Sequence, residues 1–192
     1  MRLDLLKRRG GDAATPLGGE FLRVLVAQAT AKYEDKVAQG KVFAGMTAVA
    51  GVAPGTAVDT AAPAVLVNPA NSSKRLVVLK VSVGYVSGTL GAGSLVYCAN
   101  HLKTAAAVTG TAESVTNLRL GTSPADRGNS GLVFTTATLP ATPTILRPFG
   151  TLDASLATTA GIGITRIIDE VAGEFQLLEN SALSLQGLAA GG

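Results

Sequence analysis

The chain has no tryptophan, one cysteine and one histidine in 192 residues, and only 4% of its residues are aromatic. Each scarcity excludes something. A lone cysteine, Cys98, forms no intrachain disulfide, so the fold is not stapled by cystines and the redox compartment is not legible from it. A lone imidazole, His101, is the base that any Ser-His-Asp or Cys-His arrangement must use. Cys98 and His101 stand three apart in a predicted strand, which sends their side chains to opposite faces and argues against a cysteine–histidine pair. Zinc asks for three or four convergent Cys, His or carboxylate ligands, and no such grouping is spaced along the chain.

The carboxylates are equally sparse, 13 in all. Asp169 and Glu170 are adjacent, with Glu174 and Glu179 nearby, but "DEVAGEF" reads as a hairpin turn with Gly173 at the special backbone position. A glycosidase needs two carboxyls converging on a sugar cleft, and few aromatics are present to line one. The glycine patterns "GTLGAG" and "GIGITR" have the wrong spacing for a dinucleotide fingerprint and lack the Lys-Ser/Thr of a phosphate loop. Asn71-Ser72-Ser73 matches a glycosylation sequon, without a secretory leader to give it meaning. The sequence therefore points to no catalytic, cofactor-binding or metal-ligating residue and to a chain that is not an enzyme.

No apolar run approaches the roughly 18 residues that span a bilayer. The opening "MRLDLLKRRGGD" places basic residues after a very short apolar run, unlike a secretory leader. The expectation is a soluble chain made in the cytoplasm, with no membrane partner. Net charge is only +3, and the one dense basic cluster is Lys7-Arg8-Arg9, preceded by Arg2. No interleaved aromatics accompany it, so specific nucleic-acid binding is not expected. The cluster reads either as a solvated terminus or as an arm that docks on an acidic partner surface.

What is abundant is small and apolar. Alanine and valine carry much of the 47% hydrophobic content, against 15% charged residues. Such a balance fits a chain whose apolar surface other subunits cover.

Residues 1–19 form a basic arm that runs into the Gly/Pro/Ala stretch "GGDAATPLGG". Residues 20–40 form a connector in which Leu22, Leu25, Val26, Ala29, Tyr33 and Val37 share a helical face, with Gly40 as C-cap. "FLRVLVAQA" within it also partly alternates as a strand would.

Residues 41–192 then read as a β domain. Predicted strands cover 42–48, 64–67, 76–86, 94–100, 106–120 with a break, 131–136, 144–149, 163–169, 175–179 and 182–186. Turn signals every 8 to 15 residues or so, without long helices between strands, give a mainly β antiparallel sandwich, jelly-roll-like. The best specified strand, Leu76–Val86, puts Val77, Leu79, Val81, Val83 and Tyr85 on a core face and Leu76, Val78, Lys80, Ser82, Gly84 and Val86 on the other. It reads as one arm of a long hairpin with "LVYCANH".

The segments "NPANSSKRLVVLKVSVGYVSGTLGAGSLVYC", "PTILRPFGTL" and "GEFQLLENSALSLQGLAA", with "GGEF" and "GKVF" inside residues 18–43, resemble small virion structural proteins of tailed bacteriophages. The resemblance implies a capsid decoration (cement) protein, in the virion and most naturally a homotrimer. Its partner would be the major capsid protein or another virion protein, and Arg2, Lys7, Arg8 and Arg9 its shell contacts. It implies no cofactor and no catalytic residue. It also leads one to expect a further strand after "LSLQGLAA", supplied by the chain or a neighbour. Two other classes stay open: a head-fibre, spike or tail-attached receptor-binding module, and a small hydrolase built on His101.

Overall fold

A computed structural model describes residues 32–86, 93–101, 107–121, 131–152 and 166–189. The anticipated basic arm, with Arg2, Lys7, Arg8 and Arg9, and most of the anticipated helix lie outside these residues. Contacts divide the chain into two compact units, one of Met1–Val42 with Leu118–Thr122, the other of Phe43–Asn117 with Ser123–Gly192.

In the first unit the described helix is α1 (Glu34–Ala38). Glu34 and Asp35 lie in its first turn, where negative charge opposes the positive end of the helix dipole. Its exit follows the sequence reading. Gly40 adopts φ 67°, its N–H donates to Val37 O, and the N–H of Lys41 donates to Lys36 O, the paired bonds of a Schellman cap.

The second unit is mainly β, and every strand pairing in it is antiparallel. The strands are β1 (Phe43–Gly45), β2 (Ala61–Asn68), β3 (Leu76–Val77), β4 (Val81–Gly84), β5 (Gly93–His101), β6 (Thr109–Glu113), β7 (Val115–Asn117), β8 (Leu132–Thr138), β9 (Thr144–Leu152), β10 (Arg166–Asp169), β11 (Gln176–Leu177) and β12 (Ser181–Ala189). Six of them form one sheet in the order β6-β8-β2-β12-β5-β9, and β1–β7, β4–β10 and β3–β11 form two-stranded ladders.

The last strand along the chain sits in the middle of the sheet. Leu183 is the register partner of Leu66 on β2 and of Ala99 on β5, so β12 satisfies the inner edges of two strands that are otherwise unjoined. Beyond β2 the same edge of β12 continues onto a loop, where the N–H groups of Gly187 and Ala189 donate to Pro54 O and Thr56 O. A side chain at 187 could not be accommodated, because a Cβ there would lie 2.5 Å from Gly55 O.

Alternation gives the sheet two buried faces. On one, Val65, Val67, Ala137 and Ala182 pack with Ala62, Val108 and Leu139. On the other, Tyr97 and Leu183 pack with Val78, Val171 and Leu177. Each fully buried Val, Leu or Tyr of this kind stabilises the fold by roughly 1.5–3 kcal/mol.

The second face is covered by a ribbon in which β3 and β4 run against β11 and β10. Here the structure departs from the sequence reading twice. The strand predicted over 76–86 is two strands, and its partners are β11 and β10, not β5. The predicted core face is also broken. Val78 is buried while Val77 and Tyr85 are exposed, and the expected parity holds only from Leu79 to Gly84. The cause is a bulge on the partner strand. From Val77 to Val81 are four steps, but from Gln176 to Asp169 are seven, and the surplus is absorbed where Ala172 and Gly173 take φ 52° and 94°. Among the described residues the second layer is this ribbon, not the second four-stranded sheet of a jelly roll.

Both edges of the large sheet carry irregularities that resist further pairing. The β9 edge contains Pro148 and two register shifts against β5, and the β6 edge shifts register between Thr109 and Thr111. Opposite that second shift Thr136 adopts φ 49°, a conformation in which a β-branched side chain is strained. Thr136→Gly is therefore expected to raise stability by about 1 kcal/mol, read as a higher urea midpoint at unchanged slope; an unchanged or lower midpoint contradicts the assignment of strain.

Candidate functional site

The chemically capable residues anticipated from sequence are dispersed by the fold. Cys98 is fully buried and His101 exposed, on opposite faces of β5. The structure sets Ser181 in register opposite His101, a pairing that linear spacing does not disclose. The Ser181 hydroxyl, however, already donates to Leu178 O at 2.6 Å, so it is turned to its own loop. The four clustered acids separate as well. Glu179 accepts from the Ser73 N–H, Glu170 faces Lys80 at 3.7 Å, and only Asp169 and Glu174 converge. Among the described residues no three His, Cys, Asp or Glu side chains are grouped to hold a metal ion, and no helix is long and apolar enough to cross a membrane.

The convergence of Asp169 and Glu174 is organised by Arg147, a residue that sequence reasoning passed over. Arg147 on β9 is the register partner of Tyr97 on β5, so both project from one face. Asp169 ends β10, and Glu174 follows the bulge that Ala172 and Gly173 create. The guanidinium meets Asp169 at 2.7 Å and Glu174 at 3.0 Å. It also lies 4.9 Å from the centroid of the Tyr97 ring and 5.1 Å from that of Phe175. Tyr97 packs edge-on against Phe149 and Phe175, and its hydroxyl donates to Asp169 at 3.0 Å.

Two of the eight aromatic residues, Tyr97 and Phe175, thus lie against one cation, and a third, Phe149, packs on Tyr97. Burial opposes the Arg147 charge, but the two carboxylates outweigh it and hold its pKa above the ordinary value. Its Nε, Nη1 and Nη2 donate to Glu174, to Pro148 O and to Asp169. Chemically it is a staple, fastening the ribbon to the sheet through partly desolvated pairs that are worth more than surface ones.

Buried carboxamides do similar work elsewhere. Gln186 on β12 accepts from the Asp59 N–H at 3.0 Å and donates to Asp59 O at 3.1 Å, so one side chain replaces a strand partner for that loop. Asn68 donates to Lys74 O and Leu177 O, and Asn100 to Ala141 O. An isolated Gln or Asn in an alternating segment was the available signal, though nothing local says which loop it holds.

With polar groups consumed internally, apolar side chains are left outside. Met46 is 66% and Val49 86% exposed, and Tyr85, Val86, Ile145, Leu146, Ile168 and Leu178 are also exposed. Val86 lies beside Gly51, which brings the 46–51 loop and the end of the β4 segment together. Ile145 and Leu146 occupy the sheet-edge strand β9. Arg2, Lys7, Arg8 and Arg9, the anticipated contact residues, lie outside the described structure.

Comparison with protein-family models, with curated proteins and with solved structures finds no match to the chain.

Two tests follow from these contacts. Gln186→Leu leaves both backbone groups of Asp59 without their partner, and is expected to lower unfolding free energy by about 1–3 kcal/mol in urea titration. The second concerns alkali. Burial pushes the Cys98 thiol from its ordinary 9.0 up to about 11. Burial, then the bond to Asp169, moves the Tyr97 phenol in the same direction. Both groups ionise more readily in the unfolded chain, so the thiol's contribution is complete below pH 9 and declines as pH rises from 9 towards 11, and that of the phenol begins to decline only near its ordinary 10.0. The urea midpoint should be flat up to pH 9 and fall beyond it, less steeply in Cys98→Ala; equal slopes in the two proteins would exclude the thiol.

Proposed function

We propose that the chain is a non-enzymatic structural protein of a tailed-bacteriophage virion, a decoration or cement protein that binds the assembled head and stabilises it. The observation that best supports this reading is the division of labour among its side chains. The most elaborate polar cluster, around Arg147, is spent holding the ribbon to the sheet. Large apolar groups, among them Met46, Val49, Ile145 and Leu146, are instead presented to the outside. Exposed apolar surface on a rigid β framework suits a protein whose working state is covered by neighbours. The likeness of its segments to small phage virion proteins names the neighbours: the major capsid protein and further copies of the chain, with a trimer as the expected assembly.

The basic residues Arg2, Lys7, Arg8 and Arg9 supply the electrostatic part of shell recognition. Purified protein mixed with heads of the phage that encodes it should co-sediment at about 0.15 M salt. Reversing all four charges to glutamate should weaken that binding tenfold or more while leaving the mass of the free protein unchanged. Wild-type protein that fails to bind heads sinks the assignment, whereas equal binding by both proteins removes only the role of the arm.

A further inference from the structure

The outer face of the ribbon carries a pattern that its fold alone does not require. Going along the ladder, the outward residues face each other in cross-strand pairs: Val77 with Gln176, Ser82 with Ile168, and Gly84 with Arg166. Between the first two, Lys80 and Glu170 meet at 3.7 Å. All of these residues are exposed, while their inward neighbours Val81, Val83, Ile167 and Asp169 are half-buried. Each pair joins unlike members. A small residue on β4 stands beside a large one on β10, twice over, and a cation stands beside an anion.

We propose that this face binds the same face of a second copy of the chain, about a twofold axis running along the ribbon. Such an axis exchanges the two strands at each level and leaves their order along the ribbon unchanged. Ile168 then lies over the partner's Ser82, Arg166 over the partner's Gly84, and Lys80 over the partner's Glu170. Bulk meets hollow or charge meets opposite charge at three of the four levels, Val77 lying over the partner's Gln176 at the fourth, which is the self-complementarity that an isologous contact demands. No other orientation of two such faces matches all three pairs. A second axis in the plane, across the strands at the level of Lys80, sets lysine against lysine and glutamate against glutamate. The ribbon is narrow, so the contact belongs to the weak, micromolar class and gains strength where many copies are held on one surface. It uses none of the residues assigned above to shell contact, and it is a twofold contact in addition to any threefold one.

Stacked sheets lie about 10 Å apart, a span suited to a short bis-maleimide cross-linker. Ser82→Cys protein and Ile168→Cys protein should give a mixed cross-linked pair when combined at about 100 µM, a concentration suited to a micromolar contact. Each variant alone should cross-link comparably, because like positions on the two copies differ from the mixed pair by only one strand spacing of about 4.8 Å. Val77→Cys protein combined with Arg166→Cys protein, roughly 20 Å apart along the ribbon, should give almost none. Cys98, fully buried, stays unlabelled in the native protein. Sedimentation supplies the independent reading. Lys80→Glu, which opposes two carboxylates across the contact, should weaken association about tenfold, as should Glu170→Lys. Lys80→Glu combined with Glu170→Lys restores both the internal pair and the cross-copy pair, and should recover wild-type association. Circular dichroism confirms that each variant is folded, as exposed positions allow. Failure of Ser82→Cys protein to cross-link, or an equal yield from Val77→Cys with Arg166→Cys, overturns the proposal, and so does a pair of single reversals that leave association unchanged.

Discussion

The sheet depends on the ladder that β12 makes with β2 on one side and β5 on the other. Neither neighbour pairs with the other, so without residues 181–189 two long strands would each present a row of unmatched N–H and C=O groups. Because β12 closes the sheet from the far end of the described chain, nearly all of its contacts span a large sequence separation. Loop closure must then precede the reward of pairing, the condition that makes β topologies slow to form. The apolar alternation of "SALSLQGLA" is what makes the insertion favourable. Ala182 joins one buried cluster while Leu183 joins the other.

The rest of the architecture is a response to small side chains. Alanine and valine bury little area each, and no tryptophan is present to bridge layers. The chain instead uses directional contacts where bulk is lacking. Gln186 holds the loop at Asp59, Asn68 ties the β2–β3 and β11–β12 connections together, and Arg147 with Tyr97 and Asp169 fastens the ribbon. These contacts are specific in a way that a valine surface is not, because a misplaced buried amide or guanidinium loses its partners at substantial cost. Using polar groups for internal fastening also explains how exposed positions come to hold Met46, Val49 and Ile145. That distribution is the physical basis of the structural role proposed above.

The helix cap at Gly40, most strands and the special backbone position of Gly173 were legible in the sequence, since each rests on local backbone preference or on period-two alternation. The hairpin turn read at "DEVAGEF" is instead a bulge that joins β10 and β11 in line against β4 and β3. The one long strand over 76–86 does not form either, and nor does its hairpin with β5. The odd-numbered positions of "LVVLKVSVGY" are apolar throughout, but the bulge that interrupts its ladder belongs to the partner strand around Ala172 and Gly173. No reading of residues 76–86 alone contains it. The staple at Arg147 was hidden for the same reason: Tyr97, Arg147 and the Asp169–Glu174 segment lie on three separate stretches, and only register and the bulge bring them together.

By itself the sequence determined the class: abundant β-branched residues and turn signals at short intervals, without long helical segments between them, give an antiparallel, mainly β chain. Only the tertiary structure decided that the final strand occupies the centre of the sheet, that the ribbon pairs with residues 166–177, and which polar side chains hold the layers. The division has a physical cause. Propensity and alternation act over a few residues, whereas strand order and register are set by contacts between residues some hundred positions apart, whose energies appear only when the chain closes on itself.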